Sequence, residues 1–268
     1  MIDVDVLASG SRGNATLVRL HRDNMLVLID AGLSPRRTKL ALESRGLAYS
    51  ALQHVILTHD DGDHLHTGWI RAMRSWSFVL HVHANHVNAL QRRGVDTGRM
   101  VIMSHRHELS EHTHIEPHLV PHDDAGTAAF VLTHDGVRLG WATDLGHVED
   151  TLISHFSDVD ALAIESNYDR DMQLGSDRPA FLIDRIMGGR GHLSNRQAID
   201  AIERIAAVAS LQHIVLLHLS EQCNCPDMVA AKWKAIGTDW SRRMRIATQH
   251  QALERFTVTE RAAAMSSG

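Results

Sequence analysis

A chain of 268 residues, 44% of them hydrophobic, can bury a large core and lies at the upper limit for a single domain. Its 27 basic and 32 acidic residues leave a formal charge of −5, which excludes a protein that grips polyanions over its whole surface and leaves only local arginine clusters for such contacts. No apolar run approaches membrane-spanning length, so a cytoplasmic protein without a membrane partner is expected.

In chain order, residues 3–8, 15–20 and 25–30 read as three strands. The first two are joined by Ser9-Gly10-Ser11-Arg12-Gly13-Asn14, whose glycines permit positive φ. Such a segment serves equally as a tight hairpin turn or as a cradle whose N–H groups, around Ser11 and Asn14, meet a phosphate. A helix follows, with Ser34 as N-cap, Pro35 at its first position and Gly46 closing it. Strands over 54–57, 78–83, 129–133, 137–143, 161–165 and 214–217 alternate with helices over 85–93, 179–187, 195–209 and 226–240, the pattern of an α/β fold. The segment 105–118 reads as a solvated loop, and the 21 histidines of the chain make any isolated one a weak signal. One domain over 1–260 and a disordered tail over 261–268 complete the organisation. Cys223 and Cys225, the only cysteines, are too close in sequence for good disulfide geometry and suit a reducing compartment. They read as small loop residues, with a thiolate near a metal as the alternative.

The densest chemistry follows the apolar run His54-Val55-Ile56-Leu57. Within Thr58-His59-Asp60-Asp61-Gly62-Asp63-His64, two imidazoles and two carboxylates, at His59, Asp61, Asp63 and His64, share one short turn and can converge. Any one of them alone reads as a polar turn or a helix cap. Four together suit two divalent cations, Zn²⁺, Mn²⁺ or Fe²⁺, the carboxylates favouring the harder ions.

The segment THDDGDH resembles the THxHxDH motif of the metallo-β-lactamase superfamily, with Asp61 replacing the usual second His, as in branches that carry HxDxDH. The resemblance implies an αββα four-layer sandwich and further ligands in a fixed order after strands, which His122, Asp144 and His218 supply. It implies one metal held by His59, Asp61 and His122, a second by Asp63, His64 and His218, and Asp144 bridging. Residues 7–16 (LASGSRGNAT), 28–34 (LIDAGLS), 142–146 (ATDLG), 165–169 (ESNYD), 190–195 (RGHLSN) and 216–226 (LLHLSEQCNCP) together resemble the YycJ/WalJ branch of that superfamily. That branch is a group of metal-dependent nucleases, so the implied reaction is 5′ to 3′ exonucleolytic hydrolysis of DNA.

On this reading Asp63, Asp144 and His192 are the catalytic residues. GHLSN resembles the segment in which ribonuclease Z-type enzymes carry an auxiliary His, and Ser194 with Gln197 forms a capping-box pattern, so His192 precedes a helix N-terminus that favours a phosphate. His192 is the expected donor of a proton to the leaving alkoxide. Asn167 orients substrate by the family motif alone. Two alternatives stay open. One is a hydrolase of cyclic or nucleoside phosphodiesters, like the PhnP-like relatives, with a narrow pocket closed by residues 99–116. The other is a non-catalytic, metal-bound regulatory protein.

Overall fold

The computed structural model describes residues 1–236 and 242–261. Its first sheet has seven strands in the spatial order β14 (Phe256–Val258), β1 (Ile2–Ala8), β2 (Ala15–Leu20), β3 (Met25–Ile29), β4 (Leu52–Ile56), β5 (Val79–Val82) and β6 (Met100–Ile102). The second also has seven, ordered β13 (Met244–Ile246), β12 (His213–Leu217), β11 (Ala161–Glu165), β10 (Val137–Ala142), β9 (Thr127–His134), β8 (Thr113–Val120) and β7 (His107–Ser110). Both sheets are mixed: β3 to β6 run parallel in the first, β10 to β13 in the second.

Three apolar layers hold the sheets and helices together. Between the sheets lie Ile2, Val4, Val27 and Ile56 from one side and Phe130, Leu132, Trp141 and Val215 from the other. Outside the second sheet, Ala129, Val131 and Leu162 meet Leu152 and Phe156 and the helix Asn195–Ala206 through Ile199, Ile202 and Ile205. Outside the first, Leu28, Val55 and Leu80 meet Leu42, Trp69 and Leu90. Helix, sheet, sheet, helix is the expected αββα sandwich. Strand β9 shows its logic, since all eight of its residues are buried and successive side chains serve the two opposite layers.

Local signals are honoured where they were strongest. Ser34 Oγ accepts from the Arg37 N–H at 3.3 Å, Pro35 opens the helix Pro35–Glu43, and Gly46 leaves it at φ +70°. Ser194 and Gln197 form both halves of a capping box at the start of Asn195–Ala206. Segment 105–118 is a correction. Instead of a solvated loop, it forms β7 and β8, with β8 paired along its whole length to β9. Histidines at 107, 112, 114 and 118 obscured a strand whose stability comes from its buried neighbour rather than its own apolar alternation. The strands β6, β13 and β14, three residues each, carry no readable period. Residues 237–240 of the expected continuation of the helix Pro226–Ala235, and all of the expected tail 261–268 except Arg261, lie outside the described residues.

At one end of the inter-sheet layer, imidazoles replace aliphatic packing. His54 Nδ1 lies 2.8 Å from His81 Nε2, and His81 Nδ1 lies 2.8 Å from His107 Nε2, so the chain crosses from the first sheet to the second. Burial, then repulsion from His54 and His107, pushes His81 down to about 3; burial also lowers its two partners. The folded protein therefore refuses protons that the unfolded chain accepts once pH falls below the ordinary imidazole value of 6.5. Stability present above that value is lost on acidification, by up to about 1.4 kcal/mol per pH unit for each imidazole kept neutral. Urea denaturation at pH 7.5, 6.5 and 5.5 is expected to show a steeper loss for the wild type than for His81→Leu, the difference isolating this chain.

Candidate metal centre

The site forms where parallel strands of the two sheets end side by side. In the first sheet, the chain leaves β4 through buried Leu57 and Thr58 into the turn that carries His59, Asp61, Asp63 and His64. Asp30, just past β3, fixes that turn. Its Oδ1 accepts from the Thr58 N–H and hydroxyl, both at 2.9 Å, and its Oδ2 is 2.8 Å from His64 Nδ1. With Nδ1 so engaged, His64 presents Nε2 to the site. Gly32 and the Ser9 to Asn14 turn back the same loop. The Asn14 N–H donates to the Asp63 carbonyl at 2.7 Å, and a Cβ on Gly32 would stand 1.7 Å from that carbonyl oxygen.

In the second sheet, His122 follows β8, Asp144 follows β10, and His218 follows β12. Asp30, Asp144 and His218 all adopt left-handed backbone, at φ +58°, +53° and +55°. Non-glycine residues enter that region at a cost of about 1–2 kcal/mol. Here the sharp turn at the strand end brings the side chains of three strands together. Glu165, ending β11, was not singled out from the sequence and has a central place. Fully buried, it accepts from the Leu145 and Leu193 N–H groups through Oε2, at 2.8 and 3.0 Å. Its Oε1 lies 2.8 Å from His192 Nδ1 and 3.0 Å from His218 Nδ1. A carboxylate closing a fully buried parallel strand was the available signal.

The donor atoms fall into the expected sets: those of His59, Asp61 and His122, and those of Asp63, His64 and His218, each lie within 4.8 Å of one another. Asp144 spans the two. Its Oδ2 is 3.0 Å from His64 Nε2, and its Oδ1 is 3.9 Å from His122 Nε2 and 3.5 Å from His218 Nδ1. The residues fit divalent cations on two counts. His218 Nε2 is buried without a hydrogen-bond partner, 3.5 Å from Asp63 Oδ2, a rare state for an imidazole that has no ion to meet. The carboxylates also demand positive charge. Burial alone would lower His218, yet Asp144, Asp63 and Glu165 push it up to about 10, while His218 and His64 hold the buried Asp144 well below the usual carboxylate range. Asp61 rises through burial and the neighbouring Asp63.

A cavity of about 400 Å³ opens onto these donors. Ser11, His192 and the arginines Arg178 and Arg185 line it beside Asp61, Asp63, His122, Asp144 and His218. The other two residues expected to meet substrate are placed differently. The Asn167 amide donates to the His218 carbonyl at 2.7 Å, and Asn14 Nδ2 lies 3.0 Å from His64 Nε2, both buried behind the donors. The basic residues that cluster in the sequence, Arg36, Arg37 and Lys39, Arg71 and Arg74, Arg92 and Arg93, and Arg242, Arg243 and Arg245, do not line this cavity. Neither cysteine joins a candidate metal group among the described residues.

The family model for the β-lactamase superfamily domain matches residues 26–219. The chain belongs to the metallo-β-lactamase superfamily. It is similar to the exodeoxyribonuclease YycJ of Bacillus anthracis, 26% identical over 226 residues that cover 83% of this chain and 84% of that one. In fold it resembles the metallo-β-lactamase fold protein YhfI of Bacillus subtilis, with a TM-score of 0.69 at 16% identity, covering 95% of this chain and all of that one. It also resembles a diphosphatase of the PhnP family, with a TM-score of 0.66 at 15% identity over 96% of this chain and 99% of that one.

Glu165→Gln keeps one acceptor oxygen but sets an NH₂ donor against two of the four groups that the carboxylate meets, so a loss of about 2–4 kcal/mol in thermal unfolding is expected, with metal affinity falling roughly 10- to 100-fold by calorimetric titration. Gly32→Ala drives a methyl group into the Asp63 carbonyl, and circular dichroism and metal content should report an unfolded or metal-free protein.

Proposed function

We propose that this protein is a metal-dependent phosphodiester hydrolase that digests DNA from a strand end, in the 5′ to 3′ direction. The observation that carries the reading is the convergence of two His/Asp donor sets, spanned by Asp144, at the floor of one open cavity that His192 also lines. His59, Asp61 and His122 would hold one cation, and Asp63, His64 and His218 the other. Bound there, two divalent ions supply Lewis acidity that activates a water and neutralises the phosphate.

The chain's own residues do the rest. Asp30 and Glu165 orient His64 and His218 through their Nδ1 atoms, so the donors need no rearrangement before binding. Glu165 also holds His192 by Nδ1, leaving its Nε2 for the cavity. Burial lowers His192, but the Glu165 carboxylate outweighs it and raises the imidazole above its ordinary value. His192 can then carry a proton at neutral pH and deliver it from Nε2 to the departing alkoxide. The wall with Arg178 and Arg185 lends positive charge to a site in an otherwise acidic chain.

The alignment with a relative named as an exodeoxyribonuclease, over more than four-fifths of both chains, supports DNA as the substrate. A diphosphatase of the same fold keeps small phosphoesters as the second reading. Against that reading, no residue of 99–116 lines the cavity, so the lid expected for a compact diester is not formed there. An open face beside Asp61, Asp63 and His192 likewise disfavours a purely regulatory, metal-filled protein. No helix among the described residues is long and apolar enough to cross a membrane.

Purified protein in Mn²⁺ should release the label of 5′-labelled DNA at once and that of 3′-labelled DNA only as digestion reaches the far end. His59→Ala and Asp144→Ala are each expected to abolish release, whereas His192→Ala slows it about 10²- to 10⁴-fold and keeps its metal. Wild-type turnover by a fully metallated Asp144→Ala protein would sink the two-metal reading, and turnover of a chromogenic diester with DNA left intact would move the assignment to small molecules.

A further inference from the structure

Arg178 stands out among the residues around the cavity because nothing acidic balances it. The other arginines near the cavity have carboxylate partners: Arg185 pairs with Asp123, and Arg190 lies 3.5 Å from Asp124. Arg178 has no carboxylate within ion-pair distance among the described residues. Its guanidinium is held by neutral groups. Nη1 donates to Gln173 Oε1 at 3.0 Å and Nη2 to Ser220 Oγ at 3.4 Å, while Nε and Nη2 both donate to Gln222 Oε1, at 3.1 and 2.9 Å.

These holders divide by burial. Gln173 and Ser220 are buried and anchor one side of the fork, and Ser220 lies two residues beyond the metal-donor candidate His218. Gln222 is exposed and lines the cavity. Its single amide oxygen occupies the Nε/Nη2 edge, the edge on which a guanidinium receives two oxygens of one phosphate. An exposed glutamine can swing off that edge without leaving a buried group unpaired. The fork would remain aimed, charged and unneutralised, beside the donors that would hold the cations for the scissile phosphate.

We propose that Arg178 is a substrate-binding residue for a second phosphate, the one adjoining the phosphodiester at the metal centre, and that it makes a strand of at least two phosphates the preferred substrate over an isolated diester. This rests on the phosphodiesterase reading above. It assigns the selectivity for polymer to one side chain on the wall, rather than to the metal ligands. Gln222 is its resting partner, exchanged for the phosphate when substrate enters.

The test pairs charge removal on both molecules. Thymidine trinucleotide, with two phosphodiesters, is compared with the same compound whose second linkage is an uncharged methylphosphonate, in wild type, Arg178→Gln and Arg178→Lys, with metal content and melting temperature measured alongside. Wild type should favour the doubly charged compound about 10- to 100-fold in kcat/KM, Arg178→Gln should lose that preference, and Arg178→Lys should keep part of it. An equal preference in wild type and Arg178→Gln overturns the assignment while leaving phosphodiester hydrolysis intact. If wild type cleaves neither compound, hydrolysis itself fails, and binding decides Arg178 separately. Fluorescence anisotropy of a labelled pentathymidylate in Ca²⁺ should then weaken about tenfold or more in Arg178→Gln, and binding that is equal in the two proteins, or absent from both, overturns the proposal.

Discussion

The structure depends on keeping Asp144, Glu165, His64 and His218 together in a buried seam between two sheets. Each of these groups is almost completely buried, and isolated ionised carboxylates or imidazoliums at such depth would cost several kcal/mol apiece. They are tolerable because they face one another. Asp144 reaches toward both halves of the site, Glu165 accepts from two backbone N–H groups and two imidazoles, and Asp30 answers His64 from the first sheet. Divalent cations suit this arrangement because the donor atoms already converge and the carboxylates already call for positive charge.

That requirement explains features remote from the cavity. Asp30, Asp144 and His218 hold left-handed backbone that ordinary strand ends avoid, and the close fit of Gly32 against Asp63 leaves no space for a methyl group. Local strain of this kind persists only where a well-packed frame over-determines it. The frame is provided by three apolar layers, and of the parallel strands that end at the site β3 and β11 are buried at every residue and β10 and β12 at all but one. The scaffold is rigid where the donors sit and open where a substrate must enter.

Polar groups elsewhere follow the opposite rule. The chain of His54, His81 and His107 lies between the sheets with no carboxylate paired to it among the described residues, and burial holds all three imidazoles below their ordinary value, so its hydrogen bonds join the two sheets without charge. One residue type therefore serves two ends. Beside Asp144 and Glu165, His218 and His192 rise above the ordinary imidazole value; set among themselves, His54, His81 and His107 fall below it.

The sequence by itself determined the layered α/β class, the principal strands and the capping of two helices, and it picked out seven candidate donors, because each depends on short-range pattern: an apolar run ending in a dense His/Asp turn, or a lone His or Asp just past a strand. Their division into two sets with Asp144 between them came from the family resemblance, and the folded chain brings the atoms of each set within 4.8 Å of one another. The tertiary structure alone decided what stands behind and around them. Glu165 and Asp30 are separated from the imidazoles they orient by between 27 and 53 residues, so no local pattern links them. Asn167 and Asn14, legible as polar motif residues, turn out to brace His218 and to approach His64 because the folded loops bury them. The strand character of 105–118 and the uncompensated charge of Arg178 were equally invisible, since both are set by neighbours that only the folded chain brings into contact.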